Sequence, residues 1–142
     1  MFKDKQEQEA FQAWVDDWAE DPMKAAFMKL KQHLDAKEST ELVFKARPGV
    51  SYSLRAVPVA ETGYDKPLFA MVDVVDDDPA NRWLSVCFYG DMITDPDEQG
   101  DLIPGGLLGE DGYCFDMTEA DDGLLDYLRE RLTEAHRSAL NG

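Results

Sequence analysis

Apolar positions in the first forty residues recur at spacings of three and four. Phe11, Trp14, Val15 and Trp18 fall on one face, which predicts an amphipathic helix within residues 4–20. Asp21-Pro22 interrupts it and starts a second helix, because Asp is a favoured N-cap and Pro is tolerated at the first helical position. Met23, Phe27, Leu30 and Leu34 form the apolar stripe of that helix, and Lys24, Lys29, Lys31 and Lys37 lie largely outside it.

Beyond Glu38-Ser39-Thr40 the period changes to two. Leu42, Phe44 and Ala46 alternate with Val43, Lys45 and Arg47. Pro48-Gly49 makes a turn, and Val50, Tyr52, Leu54 and Ala56 alternate with Ser51, Ser53 and Arg55, which predicts a hairpin. A polar loop over 58–66 precedes 68–75, which is apolar on both faces except at Asp73, as a central strand is. The run Asp76-Asp77-Asp78-Pro79 breaks the ladder, and β-type residues resume over 83–89. Residues 90–112 read as a long acidic, glycine-rich loop, a length uncommon without a function. A short strand over 113–117 follows. Thr118 with Asp121 resembles a capping box, and Leu124, Leu125, Leu128, Leu132, Ala135 and Ala139 line a closing helix that Asn141-Gly142 ends. The order predicts an α+β fold in one domain over 1–142. Its expected form is an antiparallel meander sheet of about five strands, with the N-terminal and C-terminal helices packed on one face.

Composition agrees with such a core: 142 residues, 44% of them hydrophobic, exclude disorder throughout. No apolar run is long enough to span a membrane, and the first residues lack the apolar stretch of a signal peptide, so a cytoplasmic protein is expected. The charge changes the picture more. Thirty acidic residues against 14 Lys and Arg give −16, which repels nucleic acid and anionic lipid. Within 73–126 there are sixteen acidic residues and one base, Arg82. This stretch is either a solubilising surface or a dedicated acidic one.

Candidate chemistry is sparse. Cys87 and Cys114 stand outside any zinc or redox spacing and are expected to be reduced core thiols. Neither His33 nor His136 is placed to activate them, so no catalytic residue and no cofactor is expected. Asp95, Asp97, Gln99 and Asp101, with Gly100 between the last two, match the first part of a calcium loop. The match fails at its last ligand position, where Gly106 stands instead of Glu. The glycine-rich Pro104–Gly109 lacks the Lys-Ser/Thr of a phosphate loop and suits a flap whose tip, Leu107 and Leu108, either tucks under the sheet or docks on a partner. Lys45, Arg47 and Arg55 share the strand face opposite Phe44 and Leu54. Arg82 joins them if the register allows, and the patch either pairs with the acidic loops or receives an anion. Asp73 is a candidate buried carboxylate. The Phe11, Trp14 and Trp18 stripe is expected to pack on the sheet.

These features favour a non-enzymatic protein–protein interaction module, expected as a homodimer with a protein partner. The alternative is a small-ligand binder or enzyme with its site under the 90–112 flap. In size and charge the chain also resembles type III secretion chaperones, although those place a helix where this sequence has only residues 76–81. The carboxylates of 73–126 resemble the phosphate-like array of DNA-mimic proteins.

Overall fold

The computed structural model describes residues 1–59 and 63–141. Two helices, α1 (Lys5–Asp17) and α2 (Pro22–Asp35), precede six strands: β1 (Thr40–Arg47), β2 (Ser51–Pro58), β3 (Ala70–Val75), β4 (Trp83–Tyr89), β5 (Asp101–Leu107) and β6 (Glu110–Met117). Helix α3 (Asp122–Asn141) closes the chain. The strands form one antiparallel sheet in the order β1-β2-β3-β4-β6-β5. The fold is therefore α+β with the helices on one face, as the sequence predicts.

Capping explains the helix starts. The Asp4 side chain accepts from the Gln6 and Glu7 amides, and Asp21 accepts from Lys24 N with Pro22 at the first turn. The capping box predicted from Thr118 is corrected: Asp121 itself receives the Leu124 amide, at 3.1 Å. An aspartate directly before the helix outcompetes a threonine three residues upstream. The expected end at Gly142 lies outside the described residues, as does part of the 58–66 loop.

Register builds the inner face of the sheet. Phe44, Leu54, Val72, Val86 and Phe115 face one another across five strands, and the row from Tyr52 through Val74 and Leu84 to Met117 lies beside it. Phe11 and Trp14 pack on Phe44, and Trp14 stacks on Tyr52 at 4.5 Å between ring centroids. Leu128, Leu132, Ala135 and Ala139 of α3 are fully buried over the same layer. The free edge of β1 is covered: Leu42 N donates to Met1 O, Phe2 bridges Leu42, and Phe44 N donates to Glu7 Oε1 at 2.7 Å.

Residues 90–112 are not one loop. They contain β5, and β6 begins at Glu110 rather than at 113. All of β5 except Leu107 is exposed, so no alternation marks it, and Pro104 is tolerated because the strand lies at the sheet edge. The pairing is irregular between Ile103 and Leu107, where Pro104-Gly105-Gly106 sits.

Candidate functional site

The other face of the sheet carries no helix, and strand alternation decides what it presents. Lys45, Ser53, Asp73, Ser85 and Asp116 stand side by side across β1, β2, β3, β4 and β6. The next row runs Val43, Arg55, Met71, Cys87, Cys114 and Asp101. Arg47 lies beyond Lys45, opposite Ser51. Lys45, Arg47 and Arg55 are thus together, with Asp73 among them.

Over this face lies the tip of the β5–β6 hairpin. Leu107 and Glu110 pair, leaving Leu108 and Gly109 as a two-residue turn with φ of 51° and 89°. Glycine adopts that conformation freely. A leucine held there is strained by about 1–2 kcal/mol. Leu107 is fully buried and Leu108 is 53% exposed, so the flap tip both tucks and projects. A cleft of about 460 Å³ lies between the tip, contributed by Gly106 and Leu108, and a floor that includes Lys45, Arg47, Arg55 and Asp73.

This cleft gathers three bases in a strongly acidic chain. The ion pairs among the described residues engage Lys24, Lys31, Lys66, Arg82, Arg129, Arg131 and the N-terminal amine, and none engages Lys45, Arg47 or Arg55. Serines hold the two arginines instead: Arg47 Nη2 donates to Ser51 Oγ at 3.0 Å and Arg55 Nε to Ser53 Oγ at 3.3 Å. Their remaining N–H groups can meet an anion in a preset geometry. Asp73 Oδ1 is buried without a hydrogen-bond partner among the described residues. Burial pushes the Asp73 carboxyl up, and the Ser53 hydrogen bond and the fields of Arg55 and Arg47 offset this only in part. The Tyr89 hydroxyl, buried on the same face, also lacks a partner, and burial raises its pKa too.

No family model, curated protein or solved structure matches the chain.

Arg82 does not join the patch. Alternation puts it on the helix side with Leu84 and Val86, where it pairs with buried Asp76 at 2.7 Å and lies over the Trp18 and Tyr52 rings. The residues of the partial calcium loop have other partners. Asp95 accepts from Gln99 N, Gly100 N, Tyr113 Oη and Tyr127 Oη, so both its oxygens are occupied. Desolvation opposes ionisation here, yet those four donors hold the carboxyl at about 2. Asp97 turns its amide to Tyr127 Oη, and Asp101 sits in β5 opposite Cys114. Among the described residues no three His, Cys, Asp or Glu side chains are grouped to hold a metal. Asp95 and the Asp97 amide instead tie the 90–100 segment to Tyr113 of β6 and Tyr127 of α3.

The expectation of reduced thiols is also overturned. Cys87 and Cys114 face each other directly across β4 and β6 and form a disulfide, with Cα atoms 4.2 Å apart. His33 and His136 are on the helical layer, bonded to Thr133 Oγ1 and Glu38 O.

Two other clefts are larger or comparable. One of about 740 Å³ is lined by Asp91, Glu110, Asp111 and Lys66, whose ammonium Glu110 already pairs at 2.8 Å. Another of about 450 Å³ lies between the end of α2 and α3. The first also holds the Tyr89 hydroxyl, partnerless among the described residues, but its charges are mainly acidic; the hairpin cleft differs in gathering three bases around a buried carboxylate oxygen. Several features of that cleft carried a sequence signal: Lys45, Arg47 and Arg55 through strand alternation, Asp73 as the lone carboxylate of its strand, and Leu107 and Leu108 as the tip of a glycine-rich flap. The left-handed conformation of Leu108 carried none.

Proposed function

We propose that this chain is a non-enzymatic binding protein that holds the anionic group of a small ligand in the cleft under the β5–β6 hairpin. Lys45, Arg47 and Arg55 supply the charge, and Leu108 supplies an apolar wall. One observation carries the reading: in a chain of net charge −16, three bases gather in one concave place, and among the described residues none of them is in an ion pair, not even with Asp73 beside them. No helix of the described residues is long and apolar enough to cross a membrane.

The test is thermal unfolding in a series of small carboxylates and inorganic phosphate at fixed ionic strength. A ligand of the native state raises the midpoint with its concentration. The rise is expected for the wild type and lost in the double variant Arg47→Gln, Arg55→Gln. A midpoint indifferent to every anion, or an equal rise in the variant, would overturn the proposal.

A specific observation supports a second reading, docking of a protein partner or a second copy of the chain. Leu102, Ile103 and Leu108 are exposed on the hairpin beside the outer edge of β5. Light scattering on the purified protein, compared with an Ile103→Lys variant, tests the second-copy form. A monomer at all concentrations would exclude it.

A further inference from the structure

We propose that the ligand of this cleft is a compact zwitterion, an α-amino acid with an apolar side chain. Its carboxylate sits on Arg55 and Lys45 and its ammonium on Asp73. The inference rests on the anion-binding reading and adds the other end of the molecule.

The charge on the helix-free face is bipolar. Bases occupy β1 and β2, through Lys45, Arg47 and Arg55, and carboxylates occupy β3 and β6, through Asp73 and Asp116. The boundary runs through the cleft. Arg55 pairs with Met71, two residues from Asp73, so the Arg55 and Asp73 backbones are diagonal neighbours about 7–8 Å apart. Side chains reaching up from those positions converge on a ligand whose opposite charges are close together, as they are in an α-amino acid. Longer dipolar molecules would overshoot Asp73.

Asp73 needs a donor rather than another acceptor. Its Oδ1 is buried and unpartnered, while the Ser53 hydroxyl serves the carboxylate elsewhere. A simple carboxylic acid would satisfy the bases and leave this oxygen orphaned. A rotation of the Asp73 side chain that turns Oδ1 to the cleft lets an ammonium satisfy it with a charge-assisted bond, stronger than a hydroxyl donor gives. The net charge of −16 also disfavours ligands with several negative charges, whereas a zwitterion brings none in excess. Met71 on the floor and Leu108 in the roof leave the rest of the cleft suited to an apolar side chain, and about 460 Å³ accommodates a molecule of this size.

Amide NMR of the ¹⁵N-labelled chain separates the possibilities. One sample is titrated with an equimolar mixture of alanine, valine, leucine, methionine and phenylalanine. A second receives the corresponding acids without their amino groups, at the same pH and ionic strength. Saturable shifts at Ser53, Asp73 and Gly106 are expected from the amino acids, about tenfold tighter than from the acids. Asp73→Asn is expected to bring the amino acids down to the affinity of the acids. Lys45→Gln with Arg55→Gln should abolish both responses, with the dispersion of the remaining spectrum reporting an intact fold. Equal affinity for the two sets overturns the zwitterion and leaves the anion reading standing. No movement of cleft amides with either set overturns both.

Discussion

Replacing Asp73 by Asn should stabilise the free protein. The wild-type carboxylate is largely buried, its Oδ1 has no partner, and its pKa lies above the ordinary 3.8 because burial outweighs the Ser53 bond and the fields of Arg55 and Arg47. An orphaned buried acceptor costs about 1–3 kcal/mol, and a neutral amide is less expensive to desolvate than a charged carboxylate. Asn keeps an oxygen for Ser53, so a gain of about 1 kcal/mol at pH 7 is expected, roughly 3–5 °C in the midpoint for a chain of this length. The pH dependence fixes the cause. A carboxyl with a raised folded-state pKa penalises the wild type fully above that value. The penalty fades as pH falls through it and is gone below 3.8, where the group is protonated in both states. The advantage of Asp73→Asn should therefore be largest at pH 7 and close towards pH 4. Thermal melts followed by circular dichroism at pH 7, 5 and 4 measure it. A variant that melts at or below the wild type at pH 7, or a gap that does not change with pH, would refute the reasoning.

Other substitutions probe the surroundings of the site. Leu108→Asn should raise stability by about 1 kcal/mol, because Asn tolerates the left-handed conformation that strains Leu, and chemical denaturation measures it. Asp95→Asn should lower stability by about 2 kcal/mol: whichever way the amide is turned, its NH₂ group faces the Gln99 or the Gly100 amide. The contribution of Asp95 is complete above pH 3.8 and disappears as pH falls through about 2, so the difference should narrow in acid, as melts at pH 7 and pH 3 can show. Cys87→Ser with Cys114→Ser removes a link across 27 residues and should cost about 3.5 kcal/mol by loop entropy. Intact mass after alkylation under denaturing conditions establishes that the wild type carries the link.

The helices and the first four strands were legible because each has a buried and an exposed side, and burial imposes the period. Lys45, Arg47 and Arg55 were legible for the same reason, since period two puts them on the face away from Phe44 and Leu54. Arg82 shows where the method needed register. Counted from Trp83 it alternates with the helix-free positions, and only the pairing of Val75 with Trp83 shows that this places it beside Asp76 under the helices. The strand β5 was illegible because it buries almost nothing: with six of its seven residues exposed there is no pattern to read, and Pro104-Gly105-Gly106 suggests the opposite. The Asp95 hub resembled a calcium loop because both uses need an aspartate amid glycine and turn residues. What separates them is the position of Tyr113 and Tyr127, one on a strand and one on a helix, which no local spacing reveals.

The contrast between buried polar groups here is what gives the hairpin cleft its weight. Asp76 is buried and completely served, by Arg82 Nε at 2.7 Å and by the Gly49 amide at 3.2 Å. Buried Lys24 donates to Trp18 O and to Glu20, each at 2.7 Å. Both of these interior ions are satisfied, and the chain's acidic residues outnumber its bases by 30 to 14. A buried carboxylate oxygen without a donor among the described residues, three clustered bases outside any ion pair and a leucine in a glycine conformation all border one cleft. Natural sequences concentrate such departures where function demands them. A ligand that removes the first two on binding is a single cause for both, and the strained turn that holds Leu108 over them is the roof such a ligand requires. If the substitutions at 73 and 108 each stabilise the empty protein while weakening its hold on amino acids, stability and binding will have been shown to oppose each other at the same residues, which solubilising charge or incidental packing would not produce.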